Sequence, residues 1–202
     1  MNQFTIMACD IIKIEKNNQI KNGVDWSNSE YKEINELHPN NVGNFGEKYI
    51  KNICLLCDIE CDIDGSKTKK IGGSYIGDGK IKGNSVEVKT ARLGNNNTFQ
   101  HELGEHPWHS DYILFVDITP NNIYISIFKN FTKEHYNTVH RSAKPYFDKM
   151  ITRRKEKSEE NSGNFKLTLN ENDLKFSKYT FIINNNTTKE SLKNFINTSI
   201  NN

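Results

Sequence analysis

The sequence contains no apolar run long enough to span a bilayer, so no membrane-embedded helix organises it and no membrane partner is expected. No signal-peptide pattern opens the chain, and residues 6–12, though apolar-rich, are interrupted by Asp10. A cytoplasmic protein is the expectation. Strong charge of either sign is also missing: 27 Lys+Arg stand against 25 Asp+Glu, a net charge of +2. Any basic footprint for nucleic acid must therefore be local. Cysteine is scarce. Of four, three form Cys54-x2-Cys57-x3-Cys61. A zinc or iron–sulfur centre would want a fourth ligand nearby, and none is evident in sequence. Cys54 and Cys57 read as small apolar residues on a buried helix face. No internal repeat is visible.

What is present is 202 residues with 35% hydrophobic and 26% charged content, enough for a single domain over 1–202 with a real core. Phe4 to Ile14 suits a short strand, and Ser29 to His38 suits a helix stopped at Pro39. Pro39 to Gly43 reads as a loop. A helix is expected from Phe45 to Cys57, with Asn44 as N-cap and Glu47 completing a capping box. Its inner stripe would be Gly46, Tyr49, Ile50, Ile53, Leu56 and Cys57. Asp111 to Ile118 is nearly continuous apolar sequence, the mark of a strand buried on both faces. Ile123 to Phe128 follows it as another strand after a Thr119–Asn122 turn. Phe165 to Leu169 and Tyr179 to Ile183 alternate as strands. The chain ends in a helix whose stripe is Leu192, Phe195, Ile196 and Ile200.

The most informative stretch is Gly77 to Ala91. Val86-Glu87-Val88-Lys89-Thr90 alternates apolar and polar, the period of a half-buried strand. Lys82-Gly83 and Gly83-Asn84 are both plausible two-residue turns. The first puts Asp78 opposite Glu87; the second puts it opposite Lys89. Either register gathers Asp78, Glu87 and Lys89 on one face. Two acids and an ammonium so placed suit a divalent cation beside a reacting anion.

Asp78, then eight residues, then Glu87-Val88-Lys89 resembles the signature of the PD-(D/E)XK nucleases, in which the first acid ends one strand and the triplet sits in the next. Gly77 stands where that signature usually has proline. The resemblance covers about 44–130 as the nuclease core, with 1–43 as an N-terminal extension and 131–202 as a C-terminal helical and strand elaboration. It implies an α/β (α+β) restriction-endonuclease-like fold, a mixed central β-sheet flanked by helices. It also implies Mg²⁺-dependent hydrolysis of double-stranded DNA, as in a type II restriction endonuclease. Asp78 and Glu87 would hold Mg²⁺ with the main-chain carbonyl of Val88, and Lys89 would orient water and stabilise developing charge. Glu47 would be a further catalytic acid from the first core helix, and Gln100 a further residue facing the site. A symmetric target would call for a homodimer.

DNA contacts are expected from Lys80, Lys82 and Arg92 around the hairpin. A basic helix over Ala143–Lys157 would add Lys149, Arg153 and Arg154, with Lys157. Phe99 to His109 reads as a histidine-rich loop bordering the site. Other readings are a repair, recombination or phage homing nuclease, a DNA-binding protein without turnover, and a cysteine/histidine metal module.

Overall fold

The computed structural model describes residues 13–14, 23–63, 70–71, 74–75, 77–104, 109–130, 152–153 and 165–201. The expected strand over 4–14 lies almost wholly outside these residues. So do Lys149, Arg154 and Lys157.

A short 3-10 helix, Lys32–Glu36, precedes the helix α1, Pro39–Leu56. Two strands of two residues, Lys70–Ile71 (β1) and Ser74–Tyr75 (β2), pair as a small ribbon. The hairpin strands Gly79–Ile81 (β3) and Asn84–Arg92 (β4) follow, then Thr98–Gly104 (β5), Tyr112–Ile118 (β6) and Ile123–Lys129 (β7). Thr152–Arg153 (β8), Phe165–Asn170 (β9), the short helix Glu171–Lys175 (α2), Thr180–Ile183 (β10) and the helix Lys189–Ser199 (α3) follow among the described residues.

The central sheet has five strands in the order β10-β7-β6-β4-β3. It is mixed: β4 and β6 are parallel and every other pairing in it is antiparallel. All seven residues of β6 are buried, as its unbroken apolar run implies. In the second sheet, β5-β9-β8, strand β5 packs on one face of the first through His101, which meets Phe115 and Asp117 of β6. Phe99, His101 and Leu103 alternate inward from β5 while Gln100 and Glu102 stay exposed. His101 meets the Phe115 ring at 4.6 Å, and Phe115 meets Phe128 at 5.8 Å.

The helices lie on the other face. Gly46 lets α1 approach β4 closely, because a Cβ there would fall 1.7 Å from the Thr90 hydroxyl oxygen. Phe195 of α3 stacks on Phe181 of β10 at 5.2 Å. α3 starts at a capping box between Thr188 and Ser191 and buries Leu192 and Ile196, with Ile200 buried at its end. One hydrophobic cluster runs from Trp26 to Ile200 and takes in residues of α1, β3 to β7, β9, α2 and α3.

Four expectations need correction. α1 starts at Pro39, not Phe45: His38 caps it, and proline is well tolerated in a first turn, where its missing N–H has no intrahelical partner to lose. Asn44 and Glu47 are therefore interior residues, and no capping role explains Glu47. Leu56 is 70% exposed rather than part of the inner stripe, which runs through Val42, Gly46, Ile50, Ile53 and Cys54. The expected histidine-rich loop is strand through Gly104, because β9 pairs with it along its length. Thr152 and Arg153 are strand rather than helix, paired with Lys166 and Phe165. Here tertiary pairing overrides a local helical pattern.

Candidate functional site

The site begins with the turn. Lys82 and Gly83 both have positive φ, 51° and 79°, the combination that matches the twist of a two-residue hairpin. The pairs are Gly79 with Val86, Lys80 with Ser85 and Ile81 with Asn84. Of the two registers open in the sequence, this is the one that sets Asp78 across from Glu87. Asp78 does not end a strand; it immediately precedes β3, at the open mouth of the hairpin.

Asp78 is clamped at both ends. Its N–H donates to the Val86 carbonyl at 2.7 Å, and its Oδ2 accepts from the Val88 N–H at 2.7 Å. Gly77 makes this possible. Its φ of +94° is closed to proline, whose ring fixes φ near −65°. A Cβ at Gly77 would also fall 2.2 Å from the Val86 carbonyl oxygen. A proline, which the PD-(D/E)XK signature usually has here, could not take up this conformation. A strand residue's N–H and C=O leave the same edge, so the Val88 carbonyl points to Asp78's side of β4.

Glu87 and Lys89 share one face of β4. The Lys89 ammonium lies 2.6 Å from Glu87 Oε1, and both side chains are about three-quarters buried, 24% and 22% exposed. Burial drives the Asp78 carboxyl up to about 7. The nearby charges of Glu87 and Glu47 push the same way, while the Val88 hydrogen bond and Lys89 oppose them. Glu47 therefore belongs to the electrostatic surroundings of Asp78, although its expected cap does not exist.

The remaining candidates are placed differently. Gln100 is exposed on β5 and lines a cavity at the far end of β4, beyond the Asp78–Glu87–Lys89 cluster. Arg92 Nη1 donates to the carbonyls of Ile34 and Leu37 at 2.8 and 2.7 Å, holding the end of the 3-10 helix. Lys82 Nζ donates to the Ile200 carbonyl at 2.9 Å, at the end of α3. Lys80 is exposed, and its N–H donates to Asp62. Arg153 stands in β8.

One pair went unrecognised in the sequence. His101 Nε2 lies 2.8 Å from Asp117 Oδ1, and both side chains are fully buried. Asp117 neighbours Ala91, and Phe115 neighbours Lys89, so the pair lies on the same face of the sheet as Glu87 and Lys89. Burial raises the Asp117 carboxyl, and His101 opposes it. Among the described residues, His101 Nδ1 and Asp117 Oδ2 have no hydrogen-bond partner. A lone carboxylate inside an apolar strand was the available signal, because buried acids need partners.

Cys54 and Cys57 are buried, as expected of apolar filler, and Cys61 sits beside Ile81 of β3. A hydrogen bond from Cys54 brings the Cys61 thiol down to about 7, while Cys54 is pushed up. Among the described residues, no three His, Cys, Asp or Glu side chains form a group able to hold a metal ion. Nor is any helix among them long and apolar enough to cross a membrane. No family model, curated protein or solved structure matches the chain.

Proposed function

We propose that this chain is a Mg²⁺-dependent endodeoxyribonuclease of the PD-(D/E)XK restriction-endonuclease type, acting on double-stranded DNA in the cytoplasm. One observation carries the reading: Asp78 stands across a tight hairpin from Glu87, with the Lys89 ammonium 2.6 Å from the Glu87 carboxylate. The mixed sheet, with α1 against the strand that bears the triplet, supports it.

The donor set suits Mg²⁺: two carboxylates, from Asp78 and Glu87, and the Val88 carbonyl, all hard oxygens. Mg²⁺ usually takes only one or two protein carboxylates and leaves its other positions to water and phosphate, so a third acid is not required. The raised pKa of Asp78 is compatible with this: burial is its main cause, and the charges of Glu87 and Glu47 add to it against Lys89. When bound, Mg²⁺ would neutralise charge on a phosphodiester and make a water more acidic. Asp78 contributes a carboxylate held by the Val88 N–H, on a backbone itself held by the Val86 carbonyl, with little freedom left to lose. Glu87 holds Lys89 in place. Lys89 donates to a phosphate oxygen where negative charge develops and orients the attacking water. Cutting both strands of a symmetric site calls for a homodimer.

The test is digestion of a plasmid of known sequence with Mg²⁺. Discrete bands mean sequence-specific cleavage, a smear means cleavage without preference, and open circles mean nicking. An intact plasmid at every divalent ion tried would overturn the proposal.

A further inference from the structure

Beyond Lys89 the strand β4 runs into a cavity of about 280 Å³. That is the small end of ligand pockets, with room for one planar heterocycle. Val42 of α1 forms one wall, Thr90 lies on the floor, and Asn95, Asn96 and Gln100 form the rim. The β4–β5 turn fixes that rim. The Gly94 N–H donates to the Thr98 carbonyl at 3.0 Å, and the Asn97 N–H donates to the Gly94 carbonyl at 2.9 Å. Asn97 takes the left-handed conformation, with φ 53°. Asn95 and Asn96 stand exposed at the tip of this turn, and Gln100 is exposed on β5 beside it.

Carboxamides carry a donor and an acceptor side by side, the pattern that pairs with one edge of a nucleobase. Asn and Gln match the N6/N7 edge of adenine, whereas guanine is usually read by a fork of arginine. Arg92 also lines this cavity, but its Nη1 is committed to the carbonyls of Ile34 and Leu37. Among the described residues no lining residue is a carboxylate, so none of them opposes the phosphate that accompanies a nucleotide. Thr90 is adjacent in sequence to Lys89, and a strand advances about 3.3 Å per residue. Successive strand residues face opposite sides, so Thr90 and Val42 line the cavity on the face away from Lys89, and a DNA strand held at Lys89 would reach it round the edge of β4.

We infer that this cavity takes one unpaired adenine base, presented by the strand held at Asp78, Glu87 and Lys89. The inference rests on the nuclease reading of the hairpin and names the base recognised beside it. Such a base leaves its stack to enter a pocket and is read on its edge, against apolar walls.

The experiment uses the full chain, isotope-labelled and metal-free. It is titrated with deoxyadenosine, deoxyguanosine and deoxyribose 5-phosphate, and the side-chain amide NMR signals of Asn95, Asn96 and Gln100 are followed. Deoxyadenosine is expected to shift all three, with at least about fivefold tighter binding than deoxyguanosine. Asn96→Ala/Gln100→Ala should remove that preference, and both positions are exposed, so the fold should persist. Equal shifts with the sugar phosphate alone, or no shift with any nucleoside, would overturn the inference. The readout needs no cleavage. A chain that cuts DNA but whose amides ignore nucleosides loses only the adenine site. A chain that binds deoxyadenosine at these amides but never cuts keeps the site and loses the nuclease reading.

Discussion

The Asp78–Glu87–Lys89 cluster and the His101–Asp117 pair lie on one face of one sheet and are built from the same chemistry, a carboxylate beside a nitrogen base. Their surroundings differ. Glu87 and Lys89 keep about a quarter of their surface open at the mouth of a hairpin, 22% and 24%. His101 and Asp117 are sealed beneath β5, with no exposed side-chain surface. An open cluster can exchange protons, ions and substrate with solvent. A sealed pair can only tie two sheets together, and it does so with two atoms that find no partner among the described residues. Residue type alone therefore does not mark a reactive site on this sheet; access does.

The largest expected effect sharpens that contrast from the sealed side. Asp117→Ala leaves His101 buried without its partner and should cost about 3–5 kcal/mol, the usual range for breaking a buried pair. Urea denaturation measures it. Replacement of both residues by apolar ones of similar volume should recover much of the loss. If Asp117→Ala is neutral, the pair is not the tie proposed here.

The open cluster should respond to pH and cations instead. Asp78 titrates near 7 in the fold against an ordinary 3.8, so between those values the folded chain keeps a proton that the unfolded chain has released. Stability of the metal-free protein should then be fully supported at low pH and fall as pH rises toward 7, by roughly 2–4 kcal/mol. Asp78→Asn should flatten this slope and raise the melting temperature at pH 8. Ca²⁺ should do the same for the wild type at pH 8 and much less at pH 5, where protons compete. A melting temperature indifferent to Ca²⁺ at pH 8 would break the comparison.

Gly77→Ala tests the hairpin itself. Forcing a side chain into φ +94° against the Val86 carbonyl should cost on the order of 1–3 kcal/mol and displace Asp78. Metal affinity should fall with it, while the His101–Asp117 side of the sheet keeps its hydrogen-exchange protection. The smallest effect concerns thiols. Alkylation of Cys61 should rise with a midpoint near pH 7, while buried Cys54 stays unreactive. Mass spectrometry of the modified peptides distinguishes the two.

The sequence made the hairpin legible because a strand's period and a two-residue turn leave only two registers, and Lys82-Gly83 satisfied one of them. Strand β6 was legible from its unbroken apolar run, and α3 from its apolar stripe. The start of α1 was not, since Asn44 and Glu47 offered a better cap on paper than His38, and proline at a helix start looks the same as proline in a loop. The placing of β5 against β9 was hidden as well. That contact spans about seventy positions, from Phe99 to Leu169, and long-range pairing leaves no local pattern. Arg92 and Lys82 illustrate a third limit. Both were expected on DNA, and both reach backbone carbonyls at element ends far along the chain.

The most direct test of the hairpin as a hydrolytic centre compares wild type with Asp78→Asn, Glu87→Gln and Lys89→Ala on the same duplex. Cleavage is followed in Mg²⁺, and ion binding by calorimetry in Ca²⁺. None of the three variants should cut, and only Lys89→Ala should still bind the ion as the wild type does, because both carboxylates remain. Wild-type cleavage rates in either acid variant would contradict the account.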